Sequence, residues 1–213
     1  AHQGVLFLDE LPEFSRSVLE VLREPLESGQ ILISRVAAQT SYPANFQLVA
    51  AMNPCPCGYL GSKRCTCSLD QISRYQHKIS GPLLDRIDLQ VQVSAIENQQ
   101  LLDQDRKVEG DSNQQIQLRV CKARDVQVQR QGKINTYLTS QELNQVCPLN
   151  SELKALLDQA IDRFGLSTRG FYRVLKVART LADLADISHP QLPQYQEALS
   201  YRSTIDKRTE IKS

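Results

Sequence analysis

No apolar run in the sequence approaches the roughly 20 residues that a bilayer-spanning helix needs; Val5–Leu8 is typical of what is there. The N-terminus also lacks the basic-then-apolar pattern of an export signal, so a cytoplasmic protein without a membrane partner is expected. Nor is there a surplus of charge of one sign. The 25 Lys and Arg residues face 24 Asp and Glu, a formal net charge of +1, which excludes a chain that coats nucleic acid through bulk positive charge. Any polyanion site must be local. There is no internal repeat, and 41% hydrophobic with 23% charged residues over 213 positions carries no mark of disorder. That length suffices for a buried core and for one or two domains.

What is present is unevenly spread. The segment from Phe164 to Arg179 holds Arg169, Arg173, Lys176 and Arg179 and no acidic residue. Of six cysteines, four lie between Cys55 and Cys67, while Cys121 and Cys147 stand alone. Without a secretory signal, such a cluster points to a metal before a disulfide.

The all-apolar run Gly4-Val5-Leu6-Phe7-Leu8 reads as a strand buried on both faces, as in a parallel sheet covered by helices. Ser15 can cap a helix carrying Val18, Leu19 and Leu22 on one face, Pro25 interrupts or restarts it and Gly29 ends it. Ile31–Ser34 and Val36–Thr40 predict a hairpin, and Phe46–Met52 a second continuous apolar strand. After the cysteine-rich loop, Ser68–Ser80 suits a polar helix, and the alternation Leu89, Val91, Val93 suits a strand. Residues 96–115 are rich in Gln, Asp and Glu and read as a linker. Beyond it the pattern is helical. Thr139 to Glu142 can form a capping box, Asn150 and Gly165 can bound a helix with a Leu153, Leu156, Leu157, Ala160, Ile161, Phe164 stripe, and Ser167 or Thr168 begins another. Cys121 and Cys147 fall on these helices as small apolar fillers.

Asp9-Glu10 follows the first buried strand, at the carboxyl edge where open α/β sheets bind ligands. An apolar strand ending in Asp-Glu is how P-loop ATPases hold Mg²⁺ and position the attacking water, although an acidic helix start after a strand is also common. Asn53 ends the second strand at the same edge, and Leu83-Leu84-Asp85-Arg86-Ile87-Asp88 follows about thirty residues on.

At this point the chain resembles the AAA+ ATPases, and more closely their magnesium-chelatase-like branch. Gly4 to Glu10 matches the Walker B element, Leu48 to Pro54 the sensor-one strand, and Gly81 to Asp88 the arginine-finger segment. The stretch Pro54-Cys55-Pro56-Cys57-Gly58 and the helix from Ser167 to Leu184 narrow the resemblance to the ComM and YifB type, over nearly the whole chain. The resemblance implies that Asp9 holds Mg²⁺ through water, that Glu10 is the catalytic base or positions the attacking water, that Asn53 is sensor one and that Arg86 is a finger offered to a neighbouring subunit's nucleotide. It also implies sensor two at Arg169 and an inserted hairpin over Glu27–Phe46 with Arg35 near its tip. Each basic residue keeps a plainer reading as well. Arg86 between two aspartates can be a local ion pair, and Arg169, Arg173 and Lys176 share one helical face that can be simply solvated.

One departure outweighs any single match. No G-x-x-x-x-G-K-[ST] occurs, so the loop that cradles phosphates in this family is missing. The resemblance therefore implies the C-terminal portion of a longer ATPase, inactive alone. The expected fold is a partial α/β AAA+ core over residues 1–95, the linker 96–115 and a helical lid over 116–213. The expected function is that of a subunit of a homo-oligomeric ring, a hexamer, using ATP and Mg²⁺ to migrate DNA branches during natural transformation. A magnesium chelatase motor that drives metal insertion into a porphyrin, and a non-catalytic interaction piece, are the alternatives.

The cysteines Cys55, Cys57, Cys65 and Cys67 read C-x-C-x₇-C-x-C. Two close thiolate pairs can wrap one Zn²⁺ ion, and Pro56 and Gly58 favour the turn this needs, although structural sites more often use C-x-x-C pairs. Four reduced cytosolic thiols are the alternative. His2, His77 and His189 have no ligand spacing.

Overall fold

The computed structural model of the chain describes residues 1–35, 38–94 and 110–202. The expected linker falls mostly outside the described residues, as does the hairpin tip at 36–37. The chain forms two compact units that divide between Ile87 and Asp88.

The first unit is α/β. Strand β1 (Val5–Leu8) pairs in parallel with β4 (Gln47–Ala50), in the register Val5 to Gln47 and Leu8 to Ala50. A parallel pair needs a crossover. It is made by a short 3-10 turn, Leu11–Glu13, then α1 (Arg16–Val21), α2 (Arg23–Ser28) and the antiparallel hairpin β2 (Gln30–Arg35) with β3 (Ala38–Pro43). The Ser15 side chain accepts from the Val18 N–H to open α1. Gly29 ends α2 at φ 69°, a left-handed position that costs a glycine nothing. Helices α3 (Leu69–Gln76) and α4 (Gly81–Leu84) complete the unit, and Leu11, Leu19, Ile72, Tyr75, Ile79, Leu83 and Leu84 are its buried centre.

Two expectations fail here. Strand β1 is not buried on both faces: Val5 and Phe7 are each 59% exposed, because β4 is its one paired neighbour among the described residues. The alternation Leu89, Val91, Val93 makes no strand, and all three side chains are exposed. A period of two is stabilised only by a partner strand, and none among the described residues lies beside it.

The second unit is helical: α5 (Asn113–Gln131), a 3-10 turn at Asn135–Tyr137, α6 (Ser140–Val146), α7 (Ser151–Phe164), α8 (Thr168–Leu184) and α9 (Leu192–Ser200). The caps are those expected from composition. Thr139 with Glu142 forms a capping box, Asn150 accepts from the Leu153 N–H at 2.8 Å, and Gly165 closes α7 at φ 58°. Each such cap is worth about 1 kcal/mol. Helix α8 is the hub, packed by α5, α6 and α9. The core is Leu138, Leu143, Cys147, Leu153, Leu157, Ala160, Val174, Leu175, Ala178, Tyr195, Ala198 and Leu199. Cys147 is buried as expected, but Cys121 is exposed on α5 and fills nothing.

A polar cluster is set into this helical core. Asp183, whose side chain is fully buried, accepts from Arg179 at 2.8 Å and from Asn135 at 2.8 Å, and pairs with Arg130. The Arg179 guanidinium also donates to the carbonyls of Ile187 and Ser188, each at 2.8 Å. Burial opposes the Asp183 charge, but the bonds from Arg130 and Asn135 and the charge of Arg179 outweigh it, so the pKa is lowered.

Candidate functional site

The parallel ladder fixes where the first unit's polar residues stand. The Ala51 N–H donates to the Leu8 carbonyl at 2.9 Å, and the Ala51 carbonyl accepts from the Leu11 N–H at 3.0 Å. Asp9 and Glu10 are therefore the two residues looped between points held by one residue of the β4 extension. To fit, Glu10 adopts φ 50° and ψ 47°, the left-handed region that costs a residue with a Cβ about 1–2 kcal/mol. The Asp9 carboxylate accepts the Glu10 N–H at 2.8 Å, and the Glu10 carbonyl accepts from Glu13 at 2.8 Å. Strain of this kind persists only where surroundings over-determine it, and it clusters at functional sites. Both carboxylates are exposed at the carboxyl edge of the sheet, and Asn53, also exposed, emerges three residues past β4 at that edge.

Asn53 is tethered from behind. Its backbone N–H meets the phenol oxygen of the buried Tyr75 on α3. The next carbonyl, of Pro54, accepts from the Gln76 side chain at 3.0 Å. The turn that follows closes with the Gly58 N–H donating to the Cys55 carbonyl at 3.0 Å, and Gly58 sits at φ 80°. A Cβ on Gly58 would lie 3.8 Å from both Cγ and Oδ1 of Asn53, so the glycine leaves a methyl-sized space beside the Asn53 side chain.

That turn brings the four expected cysteines together. Their sulfurs all lie within 4.8 Å of one another, with Cys55 to Cys57 at 3.4 Å, Cys57 to Cys65 at 3.7 Å and Cys55 to Cys65 at 3.9 Å. Four sulfurs about 2.3 Å from a zinc ion stand about 3.8 Å apart, so the cluster has the dimensions of a tetrahedral site. Cys55 is fully buried. The N–H groups of Tyr59 and Thr66 hold the Cys57 pKa down at about 6, while burial pushes that of Cys67 up to about 11. The cluster can hold a metal ion.

Arg86 belongs to the same unit and is not held out to solvent. Its side chain is 8% exposed, paired with the Glu27 carboxylate and donating to the Pro82 carbonyl at 2.7 Å. An open cleft lined by Glu20, Arg23, Glu24, Glu27, Ser28 and Arg86 adjoins it. Sequence reasoning missed Glu27, because a partner fifty-nine positions away has no local signature. Arg35 is the last residue of β2, opposite Ala38.

In the second unit, Arg169 is exposed in the first turn of α8. The face it shares with Arg173 and Lys176 is not merely solvated. Arg173 pairs with Asp88, and Lys176 donates to the Thr136 carbonyl at 2.7 Å with its pKa lowered, first by burial and then by Arg173.

A sheet edge carrying Asp-Glu after one strand and Asn after its parallel neighbour, followed in the chain by a helical unit, is consistent with a partial core of the AAA+ kind and a helical domain. The profile of magnesium chelatase, subunit ChlI, matches residues 1–101, and that of the magnesium chelatase, subunit ChlI C-terminal region matches residues 110–202. The chain belongs to this magnesium-chelatase-like family of AAA+ proteins. It is 46% identical over 205 residues to competence protein ComM of Haemophilus influenzae, covering 96% of this chain and 40% of that protein. It is 46% identical over 207 residues to the uncharacterized protein YifB of Escherichia coli, covering 97% and 40%. An uncharacterized Mycobacterium bovis protein is 42% identical over 212 residues, covering 98% and 41%. The chain thus spans about two fifths of the length of these relatives. Among the described residues, no helix is long and apolar enough to cross a membrane.

Proposed function

We propose that the chain is the Walker B to lid portion of an ATP-driven motor subunit that works on DNA as a homo-oligomeric ring, a hexamer in the reading implied by its family. The observation that carries this is the shared sheet edge of Asp9, Glu10 and Asn53, with Glu10 held in a strained backbone state. The DNA substrate rests on similarity to a protein named for competence. A second reading, a chelatase motor, is favoured by the name of the matching family.

The donor set fits magnesium-ATP on one side: a carboxylate for the metal and a carboxamide for water are present, while the sequence contains no phosphate-cradling loop motif. Bound magnesium-ATP would supply the phosphoanhydride bond. Asp9 would hold the metal through water, Glu10 would accept the proton of the attacking water, and Asn53 would orient that water. Arg169 would meet the phosphates from the lid. Arg86 would offer two N–H donors to the nucleotide of an adjacent subunit once exchanged from Glu27. Cys55, Cys57, Cys65 and Cys67 would hold one structural zinc ion with no position left open.

The test uses the chain joined to a P-loop segment of its relatives. Glu10→Gln is expected to keep nucleotide binding and lower turnover at least ~100-fold, the usual scale for loss of a general base. Arg86→Ala should abolish turnover, with partial recovery on mixing with Glu10→Gln subunits; normal hydrolysis by Arg86→Ala rings assigns the residue to its Glu27 pair alone. Arg35→Ala should weaken salt-sensitive, sequence-tolerant DNA binding while leaving basal ATPase intact. Unchanged DNA affinity would move the weight to the chelatase reading.

A further inference from the structure

Three features remain outside that mechanism: the exposed face of β1, the cleft beside Arg86, and the join between the cysteine cluster and Asn53. The third carries furthest. We propose that the metal-loaded cysteine knuckle positions Asn53, so that metal occupancy sets whether the sensor-one carboxamide is ordered at the sheet edge. The proposal rests on the zinc and sensor-one readings above and adds the link between them.

Three features make the link. Asn53 and Cys55 are separated by Pro54 alone, whose ring fixes φ and leaves little slack between ligand and carboxamide. The Gly58 turn, which carries the ligand Cys57, runs beside the Asn53 side chain, close enough that a methyl group added at Gly58 would touch the carboxamide. On the other side, the Asn53 N–H is held by Tyr75 and the Pro54 carbonyl by Gln76, both from α3. The backbone that carries the carboxamide is therefore held by α3 on one side and joined through Pro54 to a loop of few apolar contacts on the other. Residues 55–67 contain one fully buried side chain, Cys55, and no regular element. With so little packing of its own, such a loop takes its order from the ion that joins its two ends. Removing the ion frees the loop side, which reaches Asn53 through Pro54, and leaves the α3 side intact.

The experiment uses the whole 213-residue chain, labelled with ¹⁵N, zinc-loaded and then stripped with a chelator. The Asn53 side-chain amide pair is assigned by its loss in Asn53→Asp. In the zinc form that pair should be sharp, with an order parameter near the ~0.85 of rigid backbone, and in the stripped form it should fall below ~0.6. The backbone resonances of Ile72, Ile79 and Leu83 should not move. Gly58→Ala is the second variant, since it keeps all four thiols but cannot hold φ 80° without strain. It should retain about one zinc per chain, the stoichiometry of a closed four-ligand site, and still lower the order parameter of the Asn53 pair.

Purified chain without zinc overturns both the metal reading and the proposal. Zinc bound with Asn53 unchanged on stripping, or unchanged in Gly58→Ala, overturns the positioning alone. Joint collapse of Asn53 and the Ile72, Ile79 and Leu83 resonances on stripping also overturns it, because the ion would then be holding the unit as a whole.

Discussion

The two units solve the same stability problem with different materials. The helical unit encloses an aliphatic core around α8 and can bury even Asp183 and Arg179, because the Asp183 carboxylate and both terminal nitrogens of Arg179 are hydrogen-bonded, with the Arg179 Nε left unbonded. The α/β unit leaves the Val5 and Phe7 face of its sheet open, strains Glu10 and gathers four thiols where apolar side chains would otherwise sit. The residues read as chemical lie mostly in the second kind of environment. Sites need exposed, pre-set polar groups, and a unit that provides them gives up packing to do so.

The largest effect that would break this contrast is at Asp183. Asp183→Ala leaves Arg179 buried without its carboxylate and should cost about 3–5 kcal/mol, seen as a lowered denaturant midpoint for the helical unit. A loss under ~1 kcal/mol, the scale of a surface pair, would mean the cluster is solvated.

Packing gives the next test. Leu175→Ala, at a fully buried position, should cost about 2–5 kcal/mol, whereas Phe7→Ala should stay within about 0.5 kcal/mol. Similar losses at the two positions would show that the sheet face is covered in solution.

Acid sharpens the contrast further. The bonds from Lys133 and from the Thr139 N–H hold Glu142 at about 2 against an ordinary 4.5, and Asp183 is also lowered. Both groups favour the ionised folded form. Their contribution is complete above the ordinary carboxylate range and is lost as the pH falls through the depressed values. Helical signal should therefore weaken between about pH 4.5 and pH 2, and Glu142→Gln should flatten that dependence. A pH-independent midpoint over that window would contradict the assignment.

What could be read from the sequence follows the reach of each interaction. Caps act over three residues, so Ser15, Thr139, Asn150, Gly165 and Ser167 were legible, as were the hairpin and the two apolar strands. The cysteine cluster was legible from spacing alone. Leu89, Val91 and Val93 misled because alternation specifies a face but not a partner. The Glu27 pair of Arg86, the Tyr75 tether of Asn53 and the Asp183 cluster all join residues far apart in the chain, where no periodicity reports on them.

The smallest expected effect is at Glu10. Glu10→Gly removes the Cβ from a left-handed position, and after the extra chain entropy of glycine it should raise stability by about 1 kcal/mol or less. A loss instead would show that the Glu10 side chain itself braces the loop.

That backbone state has a bearing on how the position can change over generations. Glutamate and glycine codons differ by a single base, so the replacement is among the most accessible at position 10. It is also one that folding alone would welcome, since Leu8 and Leu11 both stay pinned to Ala51 whatever stands between them. Drift under stability alone would therefore carry residue 10 toward glycine. A carboxylate endures there only if something other than folding rejects the replacement, which makes the residue found at this position in any related chain a readout of whether that chain still needs the acid.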